Sequence, residues 1–189
     1  MNFIFDLLQG LGIAAAIGIR PFLPVLLVGG LAAADLGIDF DGTDFSFLES
    51  WPFLLGILVL LAVVELVARR GVALPWLLLG AAVVLGALMA GGSLADRDNP
   101  VVPGLVGGAL AAALGYYAAR ALFTRVRRRL DPDAQSTLPV FGEAAALLAA
   151  GASVLFPPLA IAVIAGLAWL LAAGRRREGE KYAGLRILR

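Results

Sequence analysis

Five stretches of this chain carry almost no charge, and that pattern restricts its fold more than any other feature. Residues 71–95, 99–119 and 144–174 contain no Asp, Glu, Lys or Arg, residues 7–34 contain only Arg20, and residues 51–68 contain only Glu65. About 20 apolar residues of helix cross a hydrocarbon core of roughly 30 Å. Five such stretches in 189 residues leave almost nothing for a water-soluble domain. The charged fraction is 15%, against about 25% in an ordinary soluble domain. The expected fold class is all-α: an integral membrane helical bundle forming one transmembrane domain over residues 1–189.

Breakers divide the bundle. Segment one runs from about Phe3 to Ala34 and is too long for one upright helix; Arg20-Pro21-Phe22-Leu23-Pro24 interrupts it. Proline lacks a backbone donor and clashes with the preceding turn, so Pro21 and Pro24 are expected helix breaks. Segments two (51–69), three (74–94) and four (103–124) each have the length of one crossing. Segment five (139–174) is again too long and is interrupted at Phe156-Pro157-Pro158, a second expected break. The result is three full transmembrane helices between proline-broken helical hairpins at both ends of the chain.

Loop charge orients the bundle. The 35–50 loop holds Asp35, Asp39, Asp41, Asp44 and Glu49 and no base, and 96–98 is also net acidic, whereas 69–70, 125–129 and 175–177 are arginine-rich. Lys/Arg excess marks the cytoplasmic side, which places 35–50 and 95–100 outside and 69–72, 120–138 and the C-terminal tail inside. Segment five starts and ends on basic flanks, so parity makes it a hairpin turning at Pro157-Pro158. Segment one is either a hairpin turning at Arg20-Pro21, with an outside N-terminus, or one long kinked helix with an inside N-terminus. Met1-Asn2-Phe3 lacks the basic start of a cleavable signal, so the first segment is expected to be retained. A faint echo links 21–32 with 157–168, as in transporters built from inverted repeats; frequent Leu, Ala and Gly produce such matches by chance as well.

Few residues can carry chemistry. There is no Cys and no His, which removes disulfides, thiol nucleophiles, iron–sulfur clusters and the commonest metal ligand and general base; no metal site and no cofactor is expected. Arg20 stands alone in an apolar stretch, where a charge costs a few kcal/mol unless it is partnered or wet. Its plainer reading is a hairpin tip at the cytoplasmic surface. Glu65 is its natural partner, or pairs locally with Arg69 one turn on. Glu143 opens segment five, as an acid favoured by the helix dipole or as a second partner. The three converge on one level near the cytoplasm, as an intramembrane polar cluster able to bind substrate or ion.

Gly104, Gly108 and Ala112, and Gly107, Ala111 and Gly115, give segment four two small-residue faces, which suit it to a central position and to a homo-oligomer contact through the first set. Arg125, Arg127, Arg128 and Arg129 lie beside a membrane helix and suit anionic lipid headgroups or topology control rather than nucleic acid. Membrane lipids are the partners this pattern implies. The aromatic residues Trp51, Trp76, Tyr116, Tyr117 and Trp169 fall mostly near helix ends, as interfacial belts do. No glycine-rich run is followed by Lys-Ser or Lys-Thr, so no phosphate-binding loop is present.

The stretch from Gly12 to Pro24, ending Gly-Ile-Arg-Pro-Phe-Leu-Pro, resembles a bacterial family of small multi-pass membrane proteins known only as a domain of unknown function. Val64-Glu65 and Gly142-Glu143 look similar to that family too. Members often show a His and an acidic pair in the later half; here the His is missing and Ala144 stands at the second acid, which argues against a proton relay. The resemblance covers most of the chain, rests on the Arg-Pro-Phe-Leu-Pro motif and implies no established activity.

Two functions are expected from these features. The first is a small transporter or channel in the bacterial inner membrane, with the polar cluster near its cytoplasmic side. The alternative is a non-transporting scaffold or assembly factor that binds partner helices and anionic lipid. An enzyme fits worst, because Ser93, Ser136 and Ser153 have no His to act as base. Arg20 is expected to pair with Glu65 or Glu143.

Overall fold

The structure, a computed structural model, describes residues 3–72, 74–97 and 99–183. It contains seven α-helices among these residues: α1 (Phe3–Ile19), α2 (Phe22–Ala32), α3 (Trp51–Arg69), α4 (Pro75–Ala95), α5 (Val101–Arg127), α6 (Pro132–Leu155) and α7 (Leu159–Ala183). A single 3₁₀ turn occupies Ser46–Leu48, and no strand occurs among the described residues. Four helices are long and apolar enough to cross a membrane: α3, α4, α5 and the Thr137–Leu155 part of α6. At 1.5 Å per residue even the 19-residue α3 spans about 28 Å. The chain is a membrane protein, with three full helices between two broken segments. Its α6 has crossing length as well, although it forms only one arm of a hairpin.

Local chemistry sets the breaks. The Arg20 amide still reaches the Ala16 carbonyl at 3.2 Å, and the helix ends there because Pro21 has no N–H to continue the ladder. Pro24 does not break a helix. It sits in the first turn of α2, where backbone N–H groups have no intrahelical partner anyway. The Phe156 amide closes α6 on Ala152 at 2.8 Å, and Pro157-Pro158 turn the chain into α7. At the end of α3, Gly71 (φ +79°) donates to Ala68 and Val72 to Val67, a left-handed stop that glycine takes without strain.

Both broken segments are hairpins. Along α1, Leu11 meets Gly107 and Gly18 meets Gly115, so α1 runs parallel to α5. Gly10 meets Ala90 and Ala14 meets Gly86, so α1 runs antiparallel to α4. α2 returns along α3, with Gly29 against Leu54 and Phe22 near Glu65. Gln9, early in α1, donates to the Gly37 carbonyl beyond α2 at 2.8 Å, which brings both arms to one end and excludes the single kinked helix. In segment five, α6 carries Val154 up to Gln9 and α7 carries Leu170 back to Arg125.

The two hairpin tips therefore lie at opposite ends. Phe156–Pro158 shares the acidic end with the 35–50 and 95–100 loops. Arg20-Pro21 lies at the basic end, with Val72, Leu74, Pro75 and the end of α5. These are the pairings the charge alternation required. Asp98 and the side chains of 175–177, which bear on that alternation, lie outside the described residues, as does the side chain of Ser136, named among the candidate nucleophiles.

The hub of the bundle is α1 rather than α5. It packs on α4, α5, α6 and α7, and Ile13–Ile17 are fully buried. The two small faces of α5 are used inside the chain. Gly104 and Gly108 lie against the Ala90 and Gly86 carbonyls of α4, so that a Cβ on either would come within 2.5 Å, while Gly107 and Gly115 receive α1. Gly104, Gly108 and Ala112 are buried there, so this face, expected to serve an oligomer, is covered by α4 and α1. The sequence reading overlooked that α1 carries small residues on every side.

Candidate functional site

At the basic end a cavity of about 610 Å³ opens between the Arg20-Pro21 tip, α3, α4, α5 and α6. Arg20, Glu65 and Glu143 all line it, joined by Tyr116, Arg120, Phe123, Arg127 and Arg128. Leu61, Val64, Leu78 and Phe22 supply apolar wall. The three residues singled out in the sequence thus come from three separate elements and meet at one hollow, each half-buried.

The expected ion pair between them does not form. Among the described residues the ion pairs are Arg97–Asp6 and Arg97–Asp96; Arg20 pairs with neither glutamate, and Glu65 does not pair with Arg69. Instead the Arg20 guanidinium lies 6.0 Å from the centre of the Phe123 ring, and its Nε is buried without a hydrogen-bond partner. The reason is geometric. Glu65 rides on α3, which packs on α2 and the 3₁₀ turn and makes at most slight contact with α1, and it faces Arg20 across the cavity that both line. Glu143 lies about three turns into α6, which starts at Pro132, so the dipole of a first helical turn does not explain it either.

Tyr116 and Arg120 form a short relay on the α5 wall. Tyr116 Oη donates to the Pro75 carbonyl at 2.8 Å and accepts from Arg120 Nη1 at 2.9 Å, which fixes the phenol and the arginine together. The arginine run divides. Arg125 donates to Ala121 and, at 3.0 Å, to the Leu170 carbonyl, tying α5 to α7. Arg127 and Arg128 face the cavity, and Arg129 is exposed.

A second polar site, at the acidic end, was not read from the sequence. Asp6 is 1% exposed; it accepts from Arg97 Nη1 at 2.6 Å and from Asn99 Nδ2 at 3.0 Å. Gln9 Nε2 donates to the Gly37 and Val154 carbonyls at 2.8 and 3.1 Å. Ser93 Oγ donates to the Asp6 carbonyl at 3.1 Å and lies 3.4 Å from Gln9 Oε1. This network fastens the start of α1 to the end of α4, to the loop after α2 and to the tip of the second hairpin. One signal was available: Asp6 and Gln9 lie three apart on an otherwise apolar helix, hence on one face.

Above it, carboxylate oxygens of Asp39, Asp41 and Glu49 lie within 4.8 Å of one another. Such a trio could hold a cation, a possibility the absence of His and Cys had hidden. Burial pushes the Glu49 carboxyl above its ordinary range; the Phe40 amide opposes this, and neighbouring Asp41 and Asp39 add to it. Burial likewise raises Asp96, against the pull of Arg97 and with a push from Asp39 and Asp6.

No curated protein and no solved structure matches the chain. A family model described as a domain of unknown function (DUF4126) matches residues 7–177, a span that takes in both hairpins and the cavity. On that match the chain belongs to the DUF4126 family.

Proposed function

We propose that this chain is a small transporter or channel of the bacterial inner membrane, with its basic end in the cytoplasm and the cavity there as the substrate vestibule. The observation that carries this reading is the gathering of Arg20, Glu65 and Glu143, from three elements, around one hollow of about 610 Å³. The helix break at Arg20-Pro21, which faces that cavity, supports it, because broken helices facing a cavity are how many transporters present backbone and side-chain groups to a substrate. The arginine excess at the cavity end supports the orientation.

Flux of small anions and cations into vesicles containing the purified chain is the direct test. Flux above that of protein-free vesicles, reduced in Arg20→Ala and Glu65→Gln, is the expected result. Loaded and empty vesicles behaving alike would sink the transport reading and leave the scaffold. The scaffold has its own motivation in α3, of whose apolar stretch only 6% is buried within the chain.

A further inference from the structure

We infer that the cavity at the basic end binds a phosphomonoester that carries an apolar chain, with its phosphate on Arg20 and its chain leaving between α3 and α4. This rests on the reading of the cavity as a binding site and goes further by naming the ligand chemistry.

Charge comes first. Four arginines and two glutamates line the hollow, a net charge of two positive among its side chains. A phosphomonoester carries about −1.5 to −2 at neutral pH, which matches that excess better than a singly charged carboxylate or phosphodiester. Helix termini of both signs reach this end of the bundle, α2 and α4 by their starts and α1 and α3 by their ends, so their dipoles do not decide the sign. The side chains decide it.

Arg20 supplies the anchor. Its Nε is buried and makes no hydrogen bond, and it has no carboxylate partner. A buried donor left unbonded is costly, and a guanidinium offers a fork that fits phosphate oxygens two at a time. Phe123, beside the guanidinium at 6.0 Å, holds it by its ring face without using any donor. Arg120 is already oriented by Tyr116, so a second arginine is fixed in place on the α5 wall of the same cavity.

The apolar part follows from the walls. Leu61 and Val64 of α3 and Leu78 of α4 face the same hollow, although α3 and α4 scarcely touch each other. A headgroup inside could keep its chain in the bilayer through that seam. A freely dissolved phosphate shares the headgroup chemistry and lacks the chain, and the experiment separates the two.

The purified full-length chain in detergent is titrated with dihexanoyl phosphatidic acid, dihexanoyl phosphatidylcholine and inorganic phosphate, and binding is read by calorimetry and thermal shift. Phosphatidic acid is expected to bind saturably, phosphatidylcholine not to bind, and inorganic phosphate to bind about tenfold more weakly than phosphatidic acid. Arg20→Ala should weaken phosphatidic acid binding about tenfold or more, Arg20→Lys should fall between, and Glu65→Gln should tighten it, while Arg70→Ala, outside the cavity, should match the parent. Equal binding by the parent and a folded Arg20→Ala, or equal binding of the two lipids, overturns the proposal. Inorganic phosphate binding as tightly as phosphatidic acid overturns the apolar half of it. Phosphatidic acid binding without ion flux would overturn transport and leave this inference standing; flux without such binding would do the reverse.

Discussion

The two ends of this bundle use the same side-chain chemistry in opposite ways. At the acidic end an arginine meets a buried carboxylate: Asp6 accepts from Arg97 and Asn99, and Gln9 spans two backbone carbonyls. At the basic end arginines and glutamates face each other across open space, and Arg20 keeps a buried Nε with no acceptor. A closed network fixes geometry, because each member is satisfied only in one arrangement. An open one leaves interaction energy for something else. The acidic end thus serves as the fastening of the two hairpins and the basic end as the place where a ligand can contribute.

The largest test of that contrast is Asp6→Ala. It takes from Asn99 its carboxylate acceptor and from Arg97 the nearer of two carboxylates, Asp96 remaining, at a carboxylate that is 1% exposed, and loss of one partner of a buried pair costs about 3 kcal/mol. Melting in detergent should drop by many degrees; an unchanged midpoint would mean that the network fastens nothing. Next comes Gly12→Val. A Cβ on Gly12 would lie 2.7 Å from the Cβ atoms of both Ser153 and Ala160, one on each arm of the second hairpin, and closer still to Ser153 Oγ, so overpacking of about 1–3 kcal/mol is expected. A stability equal to the parent would show that the hairpins can separate without loss.

Arg20→Ala should be smaller, under about 1 kcal/mol, because the side chain leaves no partner uncompensated. Sequence reasoning alone, which paired Arg20 with a glutamate, predicts a loss several times larger, so a melting curve of this variant decides between the two pictures. The smallest effect concerns pH. Glu49 has its carboxyl raised by burial, so the folded protein holds that proton more tightly than the unfolded chain. Its contribution is therefore fully present below the ordinary carboxylate range and is lost as pH rises through the raised value. Subtracting the Glu49→Gln melting profile from that of the parent should show this decline as pH rises above the ordinary carboxylate range. A flat difference would remove the claim.

Charge-free lengths and prolines made much of the architecture legible. They named the three full helices, the breaks at Arg20-Pro21 and Pro157-Pro158, and the pairing of loops at each end, because hydrocarbon length and the missing proline N–H act locally along the chain. They also named Arg20, Glu65 and Glu143, since an isolated charge in an apolar run is visible without any fold. The echo between 21–32 and 157–168 now has a place: both stretches run from a hairpin tip into its second arm, α2 and α7.

What only the tertiary structure decided is who touches whom. Periodicity showed small residues on α5, but not that α1 would fill both of its neighbours' grooves and become the hub. It placed Arg97 in a loop, but could not see that folding brings the loop to Asp6, 91 residues away. It put three charges at one level, but whether they bond depends on where α3 stands relative to α1, and α3 packs on α2 instead. Membrane insertion is determined by transfer energies summed along a segment, which sequence records. Pairing across a bundle depends on helix positions a few ångströms apart, and those are fixed only when all the helices are packed together.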